Sequence, residues 1–216
     1  MNSSFAIAFN LKTDLLNRLR EKSLSSQKTF RIIKPEIRVL GIDDGKFTLH
    51  SEGSVIVVGV VFRGGRLIEG IMHTRIKIDG LDATEKLISM INGSLHRRQL
   101  RLVMLNGITF AGFNVVNIKK LNSATNLPFM ALTREKPDLE GIHKALSNLP
   151  QSEERWRTVL KAGEIHEFIN KGTKLYLGLA GISLSDSIKI IKLTSTRSCL
   201  PEPLRVAHLI ASGISP

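Results

Sequence analysis

Three runs of branched apolar residues dominate the chain between residues 37 and 79. They read IRVLGI from residue 37, SVIVVGVVF from residue 54 and RLIEGIMHTRIKID from residue 66. Runs of this composition are typical of β-strands. Gly64 and Gly65 join the second run to the third, and a glycine pair between two strand patterns predicts a tight hairpin. The chain is therefore expected to begin its sheet with antiparallel strands.

The spacing of the apolar positions changes after Gly80. The segment LDATEKLISMINGSL has the helical period, and its apolar residues fall on one stripe. That stripe consists of Leu81, Leu87, Ile88, Ile91 and Leu95. Asp82 stands at its start with Glu85 three residues later, a spacing that predicts a capping box.

Strand and helix patterns then alternate up to Pro137. QLRLVML (99–105) predicts a buried strand, VVNIKKLNSA (115–124) a helix and LPFMALTR (127–134) another strand. In the intervening loop NGITFAGFN we expect Asn114 to cap the helix and Asn117 to be solvated. The order of elements predicts an α/β fold with a mixed sheet, in which an antiparallel hairpin region is continued by parallel strands and flanked by helices.

The last third of the chain has a mainly helical pattern. LEGIHKALSNL (139–149) and SEERWRTVLKAGEIHEFI (152–169) predict helices, whereas KLYLGLAGISLSDSIKIIKL (174–193) fits either a helix or strands. The closing PEPLRVAHLIASGIS predicts a helix with Pro203 in its first turn. Four of its residues are expected to pack inward: Leu204, Ala207, Leu209 and Ile210. We expect residues 30–216 to form a single domain and residues 1–29 a helical extension.

Charge and cysteine content narrow the partners and the compartment. The 31 Lys and Arg outnumber the 19 Asp and Glu, giving a formal charge of +12, which favours a polyanion such as nucleic acid. Cys199 is the only cysteine, so an internal disulfide cannot form and a cytoplasmic location is predicted. No apolar run reaches the ~20 residues that a membrane-spanning helix needs, so no membrane partner is expected.

Carboxylates stand where the predicted strands end. Asp43 and Asp44 close the first strand and Asp79 follows the third. Acidic residues at neighbouring strand ends can hold Mg²⁺, which binds one or two carboxylates and completes its shell with water and phosphate. Alternatively, Asp44-Gly45 and Asp79-Gly80 are ordinary turns whose aspartates bond their own backbone. The residues alone leave both interpretations open.

Several other side chains are weaker candidates for binding a metal ion or phosphate. Asn106 ends the central strand, where a further ligand is expected, but its amide carries no charge and should bind Mg²⁺ less tightly than a carboxylate. His208 lies on the apolar closing helix, where it either faces a site or bonds its surroundings. Arg134 stands at the end of the strand pattern at 127–134 and Lys136 just beyond it, where both are placed to meet phosphate. The other five histidines have no partner at metal-ligand spacing: His50, His73, His96, His143 and His166.

Four stretches taken in order resemble one mostly archaeal family, called endonuclease dU. They are GIDDGKF, KIDGLDATEKL, VMLNGITFAGFNVVNI and PEPLRVAHLIA. The resemblance covers roughly residues 30 to 216. That family is similar to endonuclease V, so the resemblance implies a ribonuclease-H-like fold for this chain.

The resemblance also implies a metal centre that uses Mg²⁺ or Mn²⁺. Asp43 and Asp79 would be catalytic residues and metal ligands, with Asp82 as an uncertain substitute for Asp79. Asn106 occupies the position of the third ligand, which is an Asp in endonuclease V. Asp44 would be a neighbour that orients the ligands.

Catalysis and substrate follow from the same resemblance. His208 would orient the attacking water or relay its proton, and Arg134 or Lys136 would meet phosphate. The implied activity is metal-dependent hydrolysis of phosphodiester bonds in damaged or deaminated DNA that contains uracil or hypoxanthine, with RNA as a further possible substrate. The alternative is a nucleic-acid-binding protein of the same fold that has lost most catalysis, because Asn106 replaces a carboxylate. A small-molecule phosphate hydrolase is a remoter interpretation.

Overall fold

The computed structural model describes residues 30–48 and 51–215. In chain order, its elements are β1 (Arg38–Asp44), β2 (Ser54–Arg63), β3 (Leu67–Lys77), α1 (Ala83–Asn92), β4 (Leu102–Asn106), β5 (Thr109–Phe110), β6 (Asn114–Val115), α2 (Ile118–Thr125), β7 (Phe129–Thr133), α3 (Leu139–Leu146), α4 (Ser152–Lys161), β8 (Ile165–Asn170), β9 (Thr173–Ala180), α5 (Leu184–Thr194) and α6 (Glu202–Ile214). The predicted extension, residues 1–29, lies outside the described residues. Within the described part, no helix is long and apolar enough to cross a membrane.

Seven strands form one mixed sheet in the order β3-β2-β1-β4-β7-β9-β8. β1, β4 and β7 run parallel to one another, and the remaining neighbours are antiparallel. The glycine pair at 64–65 does form the turn between β2 and β3. The predicted α/β fold with a mixed sheet is therefore confirmed, and β8 and β9 add an antiparallel edge to it.

The helix predicted over residues 152–169 is wrong in its second half. α4 ends at Lys161, and Gly163 follows with a φ of 88°, a left-handed conformation that glycine adopts without steric cost. From Ile165 to Asn170 the exposure of the side chains alternates, which is the period of a strand. The ambiguous segment at 174–193 divides between β9 and α5.

The predicted capping box of α1 is also wrong. Asp82 occupies the N-cap position but makes no side-chain bond to the helix. Its Oδ1 instead accepts hydrogen bonds from the Lys77 amide, at 3.1 Å, and from the side chain of Asn114, at 2.7 Å. The Asn114 side-chain oxygen accepts from the Ala83 amide at the helix start. Glu85 forms an ion pair with Lys120 of α2 rather than closing the cap.

The start of α2 reverses the two predicted asparagine roles. Asn114 lies in β6, fully buried, whereas Asn117 is the N-cap and accepts from the Lys120 amide at 3.0 Å. The short strand β6 delays the helix by three residues, so the second asparagine meets the exposed amides of its first turn.

Two residues that were predicted to lie on the helical stripe of α1 and one that was predicted to pack inward on α6 are exposed. Leu81 and Leu95 lie beyond the ends of α1 and are 38% and 97% exposed. On α6, the buried residues include Leu204, Ala207 and Ala211. Leu209 is two residues from Ala207, or about 200° around the helix, and is 55% exposed. Pro203 lies in the first turn of α6, as predicted.

Helices cover both faces of the sheet and divide the side chains of β1 between them. Leu40 packs in the core shared with α1 and α2, whereas Val39 packs in the core shared with α5 and α6. Successive side chains of a strand point to opposite faces. Asp43 therefore faces α6, and Asp44 faces the opposite layer.

Candidate functional site

The parallel pairing of β1 with β4 places Asp43 beside Asn106. Ile42 is paired with Leu105 in the register of the two strands, so the next residues lie side by side at the carboxyl ends. The Asn106 side-chain nitrogen donates to Oδ2 of Asp43 at 3.0 Å. The predicted proximity of these two strand-end residues is thus observed.

The third side chain at this point comes from α6. A Cβ on Gly41 would lie 2.2 Å from the carbonyl carbon of Pro203, so only glycine lets the helix start pack directly on the β1 backbone. This close approach brings His208 over the strand end, where its Nδ1 lies 2.9 Å from Oδ2 of Asp43. The His208 side chain is 60% exposed and that of Asp43 only 3%.

The charge of Asp43 is only partly compensated by its neighbours. Burial raises the pKa of its carboxyl, and hydrogen bonds from Asn106, the Asp44 amide and His208 lower it only in part. A buried carboxylate whose charged form remains disfavoured gains stability when a cation approaches. The Asp43 carboxylate therefore fits one ligand position of a hard divalent cation.

Asp44 and Asp79 both hold the glycine-bearing loop at residues 111–113. Oδ2 of Asp44 accepts from the Ala111 amide at 2.6 Å, and Oδ1 of Asp79 accepts from the Phe113 amide at 2.7 Å. The Asp79 amide in turn donates to the Ala111 carbonyl at 2.9 Å. Gly112 has a φ of 86°, and a Cβ there would lie 2.3 Å from Oδ1 of Asp79. The loop and the two carboxylates therefore form one packed unit.

The predicted site residues thus fall into two linked groups. Asp43, Asn106 and His208 contact one another directly, whereas the Asp44 and Asp79 carboxylates bond the loop. Among the described residues, no group of three or more His, Cys, Asp or Glu side chains is arranged to hold a metal ion. Their role as ligands of a single ion stays a prediction. Oδ1 of Asp82, the residue predicted as an uncertain substitute for Asp79, accepts hydrogen bonds from Lys77 and Asn114 at the start of α1.

A cavity of about 520 Å³ opens beside Asn106. Ile108, Leu139 and Ile142 contribute apolar lining, while Arg134 and Lys136 line it with exposed charged residues after β7. Its volume and its mainly apolar lining are typical of small-molecule and cofactor sites. The two basic residues that were predicted to meet phosphate therefore lie beside the same cavity as Asn106.

Two parts of the site were missed by the sequence analysis. The backbone amides of Ala111 and Phe113 bind the carboxylates of Asp44 and Asp79, and the glycines of the NGITFAGFN loop were the available signal. Arg155 is the other part. It is buried on α4 and donates to the carbonyls of Asp79 and Gly80, and nothing in the helical pattern distinguished it from solvated basic residues.

Asp44→Asn is expected to flatten the pH dependence of stability. Burial and the charge of Asp43 raise the pKa of Asp44 from 3.8 to about 6, against the opposing bond from Ala111. The folded state then binds more protons than the unfolded state. The stabilisation of the fold by protonated Asp44 is therefore fully present below pH 3.8 and is lost as the pH rises through about 6. The side chain of asparagine can still accept the Ala111 amide. Between pH 4 and 7 the free energy of unfolding of the variant should therefore fall by about 1 to 3 kcal/mol less than that of the wild type. Urea unfolding at a series of pH values in the presence of a chelator measures these free energies. The prediction would be contradicted if the free energy of unfolding depended on pH in the same way in both proteins.

The chain as a whole is similar to known proteins. The model of the family Endonuclease dU matches residues 35–215. The UPF0215 protein of Methanothermobacter thermautotrophicus is 49% identical over 187 residues, covering 86% of this chain and 91% of that protein.

Two solved structures are similar as well. A protein of unknown function from Archaeoglobus fulgidus has 42% identity and a TM-score of 0.75, covering 82% of this chain and 97% of its own. Endonuclease V of Ciona intestinalis, in complex with a 24mer DNA containing an inosine followed by a ribo-adenosine, has 13% identity and a TM-score of 0.55, covering 90% of this chain and 95% of its own. The latter likeness shows a shared fold, which is the ribonuclease-H-like fold that was predicted.

Proposed function

The chain belongs to the endonuclease dU family, and from this premise we propose that it is a metal-dependent endonuclease that hydrolyses phosphodiester bonds in DNA containing uracil or hypoxanthine. The observation that carries the proposal is the contact between buried Asp43 and exposed His208 at the sheet end, next to Asn106 and the cavity that it lines. A buried acid, an accessible imidazole and a pocket are the parts that hydrolysis at a displaced nucleotide requires.

Mg²⁺ or Mn²⁺ is proposed to bind at Asp43, with Asp79 and the amide oxygen of Asn106 as further ligands. Asn106 presents its nitrogen to Asp43, so its amide would turn over to offer the oxygen. When bound, the ion would polarise the phosphoryl oxygen and lower the pKa of a bound water. Two carboxylates suffice for such a site, since Mg²⁺ takes its remaining ligands from water and phosphate.

His208 is proposed to move the proton of the attacking water. Its Nδ1 faces the Asp43 carboxylate, which favours the tautomer with the proton on Nδ1 and leaves Nε2 as the basic nitrogen. The His208 side chain is 60% exposed, so a water molecule and a bound nucleic acid strand can reach the ring. Asp43 thus orients the histidine through the oxygen that it also shares with Asn106.

The cavity is proposed to receive the altered base. Arg134 and Lys136 line it together with the acidic Glu135 and Asp138, and the two basic side chains are proposed to bind the phosphates that flank the displaced nucleotide. The net charge of +12 supports a nucleic acid partner. Endonuclease V of Ciona, which shares the fold, was solved with inosine-containing DNA, and this supports deaminated bases as the substrate class.

Incubation with labelled duplexes tests the proposal. Strands carrying one uracil, one hypoxanthine or neither should be compared in Mg²⁺, in Mn²⁺ and with a chelator. We expect cleavage near the altered base that requires the metal and is absent from the unmodified duplex. Salt-sensitive binding without cleavage in either metal would favour the alternative, a nucleic-acid-binding protein weakened in catalysis by Asn106.

His208→Ala is expected to lower kcat by about 10²- to 10⁴-fold, the usual contribution of a positioned general base. KM should change little, because the exposed ring is proposed to act on water rather than to bind DNA. The rate should also lose the limb of its pH profile that reports the imidazole. His73→Ala is the matched control, since His73 is an exposed histidine on β3, and equal losses in both variants would contradict the assignment.

A further inference from the structure

Arg155 is a buried arginine whose side-chain hydrogen bonds, among the residues that the structure describes, all go to backbone carbonyls. The residue is 3% exposed. Its Nη2 donates to Asp79 at 2.6 Å, its Nη1 donates to Gly80 at 2.8 Å and to Phe113 at 2.7 Å, and its Nε donates to Pro150 at 2.9 Å. One guanidinium thereby joins α4 to the Asp79–Gly80 turn and to the loop at residues 111–113.

These contacts are made where the backbone needs support. Asp79 has a φ of 48°, a left-handed conformation that residues other than glycine retain only where neighbours hold them. Its carboxylate accepts the Phe113 amide, while Arg155 binds the Phe113 carbonyl and the Asp79 carbonyl. Both ends of the Asp79–Phe113 contact are therefore fixed by the same side chain.

If this position only had to be filled, a charged residue would be an unfavourable choice, because its charge must be removed from water. Burial lowers the pKa of Arg155, and the nearby carboxylates of Asp79 and Glu154 oppose that shift. An apolar side chain of similar volume would fill the space without desolvating a charge. What arginine adds is a planar set of donors that sets the relative positions of several carbonyls at once.

We propose that Arg155 is a positioning residue of the nuclease site: it locks the Asp79–Gly80 turn against Phe113 and so fixes the direction of the Asp79 carboxylate. The proposal rests on the proposed function for its effect on rate, but the geometry that it describes belongs to the protein without substrate. Arg155 touches no reacting atom in this account and acts only through Asp79.

Two substitutions separate the guanidinium fork from its charge. Arg155→Lys keeps one positive charge but has a single nitrogen, which cannot reach four carbonyls. We expect Arg155→Lys to lower kcat about tenfold and Arg155→Met about a hundredfold, as for a site displaced by about 1 Å. KM for the DNA should stay within about threefold, because Arg155 does not itself line the cavity. Arg157→Met, an exposed arginine on the same helix, is the matched control and should behave as the wild type.

Hydrogen exchange provides the measurement that needs no activity. The Phe113 amide is bonded to Asp79, so its exchange rate reports directly on the placement of that carboxylate. It should exchange at least about tenfold faster in both Arg155 variants, at temperatures well below unfolding, while amides of β1 and β4 keep their protection. Unchanged exchange of Phe113 in Arg155→Met would overturn the proposal. If Arg155→Met does not fold, Arg155→Lys carries the same test.

Chemical rescue distinguishes positioning from a general loss of stability. Low millimolar guanidinium should restore part of the kcat of Arg155→Ala by occupying the vacated space, and should not restore Asp43→Ala. A loss of rate that follows the unfolded fraction, without rescue, would overturn the proposal. If the wild type cleaves none of the duplexes, the proposed function fails, whereas the exchange of the Phe113 amide still decides the role of Arg155.

Discussion

Asp43→Asn is expected to lower kcat by about 10³- to 10⁴-fold, comparable with the loss when a carboxylate that orients a catalytic histidine becomes an amide. The substitution removes the charge proposed to hold the cation and the acceptor that sets the tautomer of His208. It should leave the protein at least as stable as the wild type at pH 7.5. Burial raises the pKa of Asp43, so its contribution to stability is present below pH 3.8 and is lost as the pH rises through the raised value.

Cleavage of the labelled duplexes and urea unfolding at pH 7.5 measure the two effects separately. Glu36→Gln is a suitable control, because Glu36 is an exposed carboxylate that does not line the cavity. Cleavage by Asp43→Asn within tenfold of the wild type would contradict the proposed centre. Loss of cleavage together with marked destabilisation would indicate that Asp43 acts mainly in folding.

Asn106→Asp is expected to strengthen metal binding and to cost stability when no metal is present. The side chain at this position lies 3.0 Å from buried Asp43, and two carboxylates in contact cannot both be ionised without a cation between them. The additional charge should lower the half-saturating Mg²⁺ concentration at least about tenfold, since affinity for hard cations rises with the number of charged ligands. Cleavage at low Mg²⁺ should rise accordingly.

Thermal unfolding with chelator and with Mg²⁺ or Mn²⁺ tests this prediction without a substrate. The melting temperature of Asn106→Asp should fall below that of the wild type in chelator and recover when either metal is added. Asn117→Asp is the matched control, because an aspartate caps α2 as well as the native asparagine does. A melting temperature that no metal restores would exclude an ion at residue 106. Cleavage by Asn106→Asp but not by the wild type would support the weakened-catalysis alternative.

The pair Asp43 and Asn106 shows how far local patterns lead. Both residues end strands whose apolar runs are evident in the sequence, and the order of elements predicted parallel strands that continue the hairpin region. The direct pairing of β4 with β1, which brings the two side chains into contact, is a feature of the folded sheet. The resemblance to the endonuclease dU family added His208, whose helical stripe by itself fitted either a site or an ordinary hydrogen-bonded histidine.

Other contacts had no local signal. Asn114 and Asn117 are equally good caps, and only the short strand β6 assigned the cap of α2 to the second. Arg155 has the same local context as exposed Arg157, yet it lies 76 residues from the Asp79 carbonyl to which it donates. Its burial depends on the packing of α4 against a turn from a distant part of the chain.

The sequence by itself determined the mixed sheet, the hairpin at 64–65 and the strand ends that carry Asp43 and Asn106, because side-chain periodicity and turn residues act over a few neighbouring positions. Only the tertiary structure decided which oxygens face which donors: His208 on Asp43 across 165 residues, and Asp44 and Asp79 on the loop at 111–113. Such contacts depend on the close packing of whole elements, as where Gly41 admits the start of α6, and close packing is a property of the assembled fold.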